Sequence, residues 1–480
     1  MGVVHAKVPQ NSENSREECS SDPYFHNPNN PTKQRSEYGD PDPDAKDIVV
    51  EGIAARVDKI HIDGLQRTKD DYLEDCFEDL LRASNFQDVL VGAHRARLKL
   101  EELGCFKNIA VFVDTSKGPG STPDGLDVTF NVKEYRRLTG GVSTHVGDNE
   151  GSLMIGMRAP NMYGRGERVQ VEYSHGSKKN TQFSVSFIKP LKGNYRPVIT
   201  ASIFQNHSEF SASGFRERGR GILLDFGFHS YPLVKHNIQW EGIIRDLGVA
   251  GKSTSFEVRE QSGVTLKSAL KHILSVDMRD DNIFPTGGTF IQNTTEVAGL
   301  GGDVGFLKNE LYLQSNVSLF EDITIQSCLG FGIMRGIGND MKLGISDKFY
   351  LGGPLSLRGF QTRGAGPHAD GDATGALGYW AAGLHLFTPL PFRPGKGGLG
   401  ELFRTHFFIN TGNISEFTIE EGEPITNILK NNLRLSYGMG LALRLGNMAR
   451  IELNYCIPQI FDENDLTQPG VQFGIGMRFL

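Results

Sequence analysis

Gly251-Lys252-Ser253-Thr254 matches the end of a phosphate-binding loop, where backbone N–H groups cradle phosphate and the lysine neutralises it. The first glycine of such a loop belongs at position 246, where Asp246 stands, and no strand–loop–helix pattern follows. Gly164-Arg165-Gly166 lacks the third glycine of a dinucleotide fingerprint and falls at a hairpin turn. Neither a GxSxG nucleophile elbow nor an HExxH zinc pair occurs. The cysteines (Cys19, Cys76, Cys105, Cys328, Cys456) are scattered, odd in number and without a CxxC pair, which predicts isolated reduced thiols rather than a disulfide framework or a zinc site. The 13 histidines are dispersed. Four glycosylation sequons begin at Asn206, Asn293, Asn316 and Asn413, and they mean little in a chain whose first 20 residues show no secretory leader. These residues therefore predict no enzyme, no cofactor and no metal. One cationic group stands apart. Arg358 lies in Leu351-Gly352-Gly353-Pro354-Leu355-Ser356-Leu357-Arg358-Gly359-Phe360, inside a glycine-rich connection over 335–376. Connections of that length are functional or disordered.

The elements around that connection are strands. The chain has 480 residues, 58 of them glycine, which is above the usual ~7%. A net charge of −7 argues against a nucleic-acid binder. A mean hydropathy of −0.31, with no apolar run near ~20 residues, excludes a helical membrane protein but leaves a transmembrane β-barrel open, because only every second barrel residue faces lipid. From 135 onward period-two alternation recurs. Leu433, Leu435, Tyr437, Met439, Leu441, Leu443 and Leu445 share one face, and Val471, Phe473, Ile475, Met477 and Phe479 share another. Sixteen strands are predicted, near 136–146, 150–159, 167–176, 180–189, 196–206, 217–230, 236–247, 264–279, 287–298, 306–319, 322–334, 377–388, 401–413, 430–444, 448–457 and 470–480. Pro160, Pro190, Pro232, Pro285 and Pro389 each follow an even-numbered strand, where a residue that cannot donate to a ladder ends it cleanly.

Residues 1–47 carry five basic and nine acidic residues with Asn/Pro and Asp/Pro tracts, and predict a flexible acidic tail rather than a transit peptide. Gly2 invites a myristoylation reading, but Ala6 stands where Ser or Thr is needed. Over 48–134 the patterns predict a small α/β module ordered β-α-α-β-β. Val57, Ile60 and Ile62 mark a strand, and Thr68-Lys69-Asp70-Asp71 a helix cap. Leu73, Phe77, Leu80 and Leu81 form one helix, and Phe86, Val89, Leu90, Ala93, Leu100 and Leu103 a second that ends at Gly104. Ile109/Val111/Val113 and Leu126/Val128/Phe130/Val132 mark two further strands.

That order, with Ile60-His61-Ile62-Asp63-Gly64-Leu65-Gln66-Arg67-Thr68-Lys69 and Leu103-Gly104-Cys105-Phe106, resembles one POTRA domain, whose sheet edge can accept an extended segment. The decapeptide ending Arg358-Gly359-Phe360 resembles the sixth-loop signature of the superfamily of outer-membrane β-barrel assembly proteins and translocators. In that superfamily the tip folds back into the lumen and touches the inner wall. Phe408-Ile409-Asn410-Thr411-Gly412 resembles the partner motif Phe-x-Asp-x-Gly, with Asn410 in place of the usual aspartate. A direct ion pair between Arg358 and position 410 is then unavailable, and a guanidinium-to-amide hydrogen bond would be the weaker substitute.

The resemblance covers 48–480 and implies an α+β POTRA domain followed by a 16-stranded antiparallel transmembrane β-barrel. One POTRA module without a secretory leader is most similar to the mitochondrial branch, the bacterial surface antigen family member at the centre of the sorting and assembly machinery. It implies insertion of β-barrel precursors into the mitochondrial outer membrane, with tail and POTRA in the intermembrane space. The implied partners are β-barrel precursor clients, metaxin-like cytosolic-side subunits, an inner-membrane cristae-organising complex and outer-membrane lipid, without nucleic acid. Closure pairs strand one with strand sixteen, and Gly140 and Gly141 weaken that seam. The family's lateral gate would then fall at Gly140, Gly141, Val142, Gly474 and Gly476. Gln472-x-Gly474-x-x-Met477-x-Phe479 resembles the C-terminal β-signal of client barrels. The other functions considered are a passive channel, which needs an open lumen, and a polypeptide translocation pore.

Overall fold

A computed structural model describes residues 3–7, 53–118, 120–147, 149–193, 195–320, 322–338, 341, 343–390, 399–416 and 432–480. The chain divides into two compact units, residues 1–142 with 157–170, and 143–156 with 171–480.

The first unit contains β1 (Val3–Lys7), β2 (Arg56–Asp63), α1 (Asp70–Leu73), α2 (Glu78–Leu81), α3 (Phe86–Glu102), β3 (Phe106–Thr115) and β4 (Gly125–Glu134). The sheet order is β1-β2-β4-β3, with β3 antiparallel to β4 and the other pairs parallel. A register shift between Val57 and Lys59 explains how Val57 and Ile60, three apart, both reach the core. Val89, Ala93, Ala96 and Leu100 form the buried stripe of α3 and pack with Val128, Phe130 and Val132 of β4. Gly104 ends this helical segment with φ +60°, as predicted.

Two expectations fail here, and a third has a short exception. The first predicted helix is two, separated by a 3-10 turn at Glu74–Cys76, and Leu81 and Leu90 are exposed. Thr68 does not cap α1, because its hydroxyl donates to Glu134 Oε1 at 2.7 Å. That oxygen also accepts the backbone N–H groups of Gln66, Arg67 and Thr68, and Arg67 Nε donates to Oε2 at 3.2 Å. The third concerns the tail. Most of residues 1–47, Gly2 included, lie outside the described residues. Val3–Lys7, however, is a strand parallel to β2, with Val4 opposite Ile60 and Lys7 opposite Asp63. An open sheet edge presents unpaired N–H and C=O groups, which this extended segment satisfies.

The barrel strands begin with β5 (Thr139–Gly147), β6 (Glu150–Ala159), β7 (Arg168–Gly176), β8 (Thr181–Pro190), β9 (Val198–Phe210), β10 (Phe215–Tyr231) and β11 (Val234–Val249). After a short helix α4 (Phe256–Glu260) come β12 (Gly263–Asp277), β13 (Gly288–Ala298), β14 (Phe306–Phe320) and β15 (Ile323–Gly336). A small hairpin of β16 (His368–Ala369) and β17 (Asp372–Ala373) lies within the long connection. The wall then continues with β18 (Gly378–Thr388), β19 (Phe403–Ser415), β20 (Arg434–Leu445), β21 (Ala449–Ile460) and β22 (Gly470–Gly476). The 16-stranded sheet runs in chain order with β5 and β22 as its two ends. The burial pattern is inverted relative to a water-soluble sheet. On β20 and β21, Tyr437, Met439, Leu441, Leu453 and Tyr455 are exposed, while Arg434, Ser436, Glu452 and Asn454 are buried. Apolar-out and polar-in is the arrangement of a barrel bathed by lipid.

The final strand stops short of its expected end. The last strand is predicted to run to residue 480 with Phe479 on the Val471/Phe473 face. It ends at Gly476, and Phe479 is 2% exposed. The captured backbone groups described next account for the difference.

Candidate functional site

The connection between β15 and β18 packs against the inner wall. Phe349, Leu351, Leu357 and Phe360 join wall residues Ala298, Phe306, Ala381 and Ile414 in one buried apolar cluster. Asp347 fastens its early part, accepting from Arg245 Nη1 at 2.9 Å and Lys267 Nζ at 3.1 Å. The turn before the tip needs left-handed backbone. Gly352 has φ +113°, and a Cβ there would stand 2.7 Å from the Gln361 carbonyl oxygen, so only glycine fits. Gly353 (φ +109°) follows, its N–H donating to the Leu357 carbonyl, and Pro354 comes next.

At the tip Arg358 is wholly buried. Its Nε and Nη2 both donate to Glu452 Oε2, at 3.2 and 2.8 Å. Its Nη1 donates to Asn410 Oδ1 at 3.1 Å and to the Leu480 carbonyl at 2.6 Å. Its guanidinium lies 5.1 Å from the Phe408 ring centroid and 5.5 Å from that of Phe479. Asn410 also donates from Nδ2 to the Leu480 carbonyl at 3.0 Å. The hydrogen bond expected from Arg358 to Asn410 is therefore present. The weakness expected from the missing aspartate is not, because Glu452 on the neighbouring wall supplies the carboxylate. Glu452 is itself shared. Asn454 Nδ2 donates to Oε2 at 2.9 Å, and Arg450 Nε lies 2.9 Å from Oε1. A file of buried polar groups continues from there, with His406 Nδ1 2.9 Å from Asn454 Oδ1 and His385 Nδ1 3.0 Å from His406 Nε2.

Gln472 on β22 pairs with the tip through both amide atoms, accepting from Gly359 N at 2.9 Å and donating to the Phe360 carbonyl at 2.9 Å. Beyond Gly476 the chain leaves the wall. The Phe479 carbonyl accepts the Tyr312 hydroxyl at 3.1 Å, and Leu480 N donates to the Leu355 carbonyl at 2.9 Å. Gly383, opposite Asn410, leaves the space this requires, since a Cβ there would stand 3.0 Å from the Leu480 carbonyl carbon.

The predicted loop residues Gly352, Gly353, Pro354, Arg358, Gly359 and Phe360 thus come together with Phe408, Asn410 and Gln472. Gly412 sits two residues further along the same strand, and Gly474 and Gly476 face Pro354 and Leu355. Met477 stays exposed, so the four β-signal positions do not share one surface. Gly140, Gly141 and Val142 lie on β5, with Val142 exposed. Sequence reasoning missed Glu452, Arg450 and Tyr312. The available signal for Glu452 was its place on the polar face of an alternating strand beside Asn454.

The Omp85 superfamily domain matches residues 161–479. The Sorting and assembly machinery component 50 homolog of Bos taurus is 44% identical over 450 residues, covering 93% of this chain and 95% of the relative. The homolog of Homo sapiens is 44% identical over 452 residues, with the same coverage. Among solved structures, BamA from Haemophilus ducreyi lacking POTRA domains 1-3 superposes with a TM-score of 0.71 at 18% identity, covering 88% of this chain and 84% of that one. That likeness is one of fold. The match over two thirds of the chain and the near-complete coverage of the relatives place this outer-membrane β-barrel in the Omp85 superfamily and, within it, in the Sorting and assembly machinery component 50 family.

Proposed function

We propose that this chain inserts β-barrel precursors into the mitochondrial outer membrane by offering β5 as a template at a lateral gate between β5 and β22. The observation that carries the reading is the early end of β22. Phe479 and Leu480 beyond it are held by Arg358, Asn410 and Tyr312 instead of extending the wall. Unpaired backbone groups in lipid cost several kcal/mol each, so a strand without its full partner favours pairing with an incoming one. Hydrogen bonding is then the driving force, and no nucleotide enters. The tail and POTRA module face the intermembrane space in this reading, near the cristae-organising complex, and metaxin-like subunits sit on the cytosolic side. The Gln472-to-Phe479 segment is the chain's own β-signal during biogenesis and docks the loop afterwards.

The buried loop supports this reading over a passive channel, which has no use for a tip hydrogen-bonded to Glu452, Asn410, Leu480 and Gln472. Single cysteines at Gly140 and Val142 should crosslink to the last strand of an arrested barrel precursor. A disulfide between β5 and β22 should stop insertion. Normal insertion by the locked barrel would reject the gate. A steady ion conductance without insertion activity would favour the channel, and crosslinks to soluble passengers would favour a translocation pore.

A further inference from the structure

We infer that Glu134 and Asn161 are positioning residues that make the junction ahead of β5 rigid, so that the template strand is carried by the first domain. The inference rests on β5 as the template. Residues 135–138 separate β4 from β5. A junction between domains is by default a hinge, because few contacts cross it. Here it is tied at both ends. Tyr135 N donates to the Cys105 carbonyl at 3.1 Å, and the Tyr135 carbonyl accepts Arg67 Nη2. At the start of β5, Thr139 Oγ1 donates to the Arg158 carbonyl of β6 at 3.2 Å. The turn after β6, residues 160–167, then returns to the loop after β2. Lys69 N donates to the Gly164 carbonyl at 2.9 Å, and Arg67 Nη1 to the Pro160 carbonyl at 3.4 Å. Arg165 Nη2 donates to Asp71 Oδ2 at 2.7 Å.

A buried polar chain closes the ring. Asn161 Nδ2 donates to Thr68 Oγ1 at 2.7 Å, and Thr68 Oγ1 donates in turn to Glu134 Oε1 at 2.7 Å. Asn161 and Thr68 are both buried. Asn161 Oδ1 also accepts Gly166 N at 2.9 Å, which shapes the turn from within. Its own backbone sits at φ +54°, a region asparagine enters more readily than most side chains. Glu134, the last residue of β4, therefore fastens the 66–68 loop directly and the β6–β7 turn through Thr68. Hydrogen bonds to an ionised carboxylate are about twice as strong as neutral ones, and a connected buried network specifies one arrangement. The consequence is visible in how the chain divides. Residues up to Val142 and residues 157–170 belong to the same compact unit as β1–β4, although they lie on barrel strands or their turn. Gly140, Gly141 and Val142, at the start of the template strand, are thus part of the first unit.

The test uses the full chain carrying Cys19→Ser, with the other four cysteines buried. Spin labels at Val91→Cys on α3 and Tyr163→Cys on the turn, both exposed positions, report the junction in lipid nanodiscs. The parent should give one narrow distance distribution. Asn161→Gly keeps positive φ accessible and removes both side-chain bonds. It should broaden the distribution and slow insertion of a barrel precursor several-fold, while the barrel stays heat-modifiable. Thr68→Val is close in shape and cuts the same chain at its middle, so it carries the test should Asn161→Gly fail to fold. In the unlabelled Asn161→Gly chain, a short bismaleimide joining Asp71→Cys to Arg165→Cys should restore insertion. A residue that merely stabilised the fold elsewhere would not be rescued by that bridge. An unchanged distance distribution, normal insertion despite a broadened one, or a bridged chain as slow as the unbridged one would each overturn the inference. Failure of Gly140→Cys to crosslink to an arrested precursor in the parent would instead overturn the gate beneath it, and the label distances would still decide the junction.

Discussion

Glu452→Gln should be the most damaging single substitution in the barrel. Arg358 and Arg450 are both buried, and Glu452 is the carboxylate within ion-pair distance of each. Removing one partner of a buried pair costs about 3–5 kcal/mol, because the remaining charge is left uncompensated out of water. Here two cations are orphaned at once, so the upper half of that range is expected. Arg358→Met should cost less, since Glu452 keeps Arg450. In the double variant the cation at 358 no longer needs a counter-charge, and part of the Glu452→Gln loss should be recovered. The coupling should reach about 2 kcal/mol, whereas unconnected sites add to within about 0.5 kcal/mol. Urea titration of the barrel in lipid vesicles, followed through Trp240 and Trp380 and by gel-mobility shift, measures all four proteins. Additive losses, or an Arg358→Met loss equal to that of Glu452→Gln, would refute the shared-carboxylate account.

Three further outcomes follow from the geometry. Burial opposes ionisation of Glu134, but the N–H and O–H groups of Thr68, with the N–H groups of Arg67 and Gln66, outweigh it and hold its carboxyl below the usual range. A depressed folded pKa means the stabilisation is complete above the unfolded value of about 4.3. It is lost as pH falls through the folded value, so amide exchange at residues 66–68 should accelerate there, and Glu134→Gln should show that acceleration at neutral pH. Burial pushes the Cys105 thiol up to about 12, so alkylation at pH 7.5 should proceed only at the rate of local unfolding. Gly352→Ala should leave the wall intact but expose residues 337–377 to protease, because it forces a Cβ into the Gln361 carbonyl at positive φ, costing ~1–3 kcal/mol.

What could be read from the sequence follows from what each pattern senses. Alternation reports which face of a strand meets lipid, and it located all the wall strands to within a few residues. The prolines carried a second, independent signal, since all five lie at or beyond the end of an even-numbered strand. The Arg358-Gly359-Phe360 tip was visible because its glycines are needed for backbone shape. Glu452 was invisible for the opposite reason, since a charged residue on the polar face of a barrel strand is ordinary until a cation is brought to it. The end of β22 was misread because Gly476-Met477-Arg478-Phe479 keeps the alternation. Alternation cannot sense that Tyr312, more than 160 positions away, offers the Phe479 carbonyl a hydroxyl. The first helix divides because its apolar spacing fits either one helix or two short ones joined by a tighter turn.

Asn410 shows why a departure from a motif is not always a loss. An aspartate at this position would accept from Arg358 with a full charge, but it has no donor. Asparagine accepts from Arg358 through Oδ1 and donates through Nδ2 to the Leu480 carbonyl, linking the loop tip to the segment beyond β22. With Glu452 carrying the charge, position 410 is released to act as a connector. Asn410→Asp should therefore tighten the loop while loosening the segment after Gly476, because two acceptor oxygens would face each other across the former 3.0 Å bond. A spin label at Met477 should become more mobile in Asn410→Asp while protease resistance of 337–377 holds or rises. Equal mobility in the two proteins would show that Arg358, Tyr312 and the Leu355 carbonyl secure this segment without Asn410.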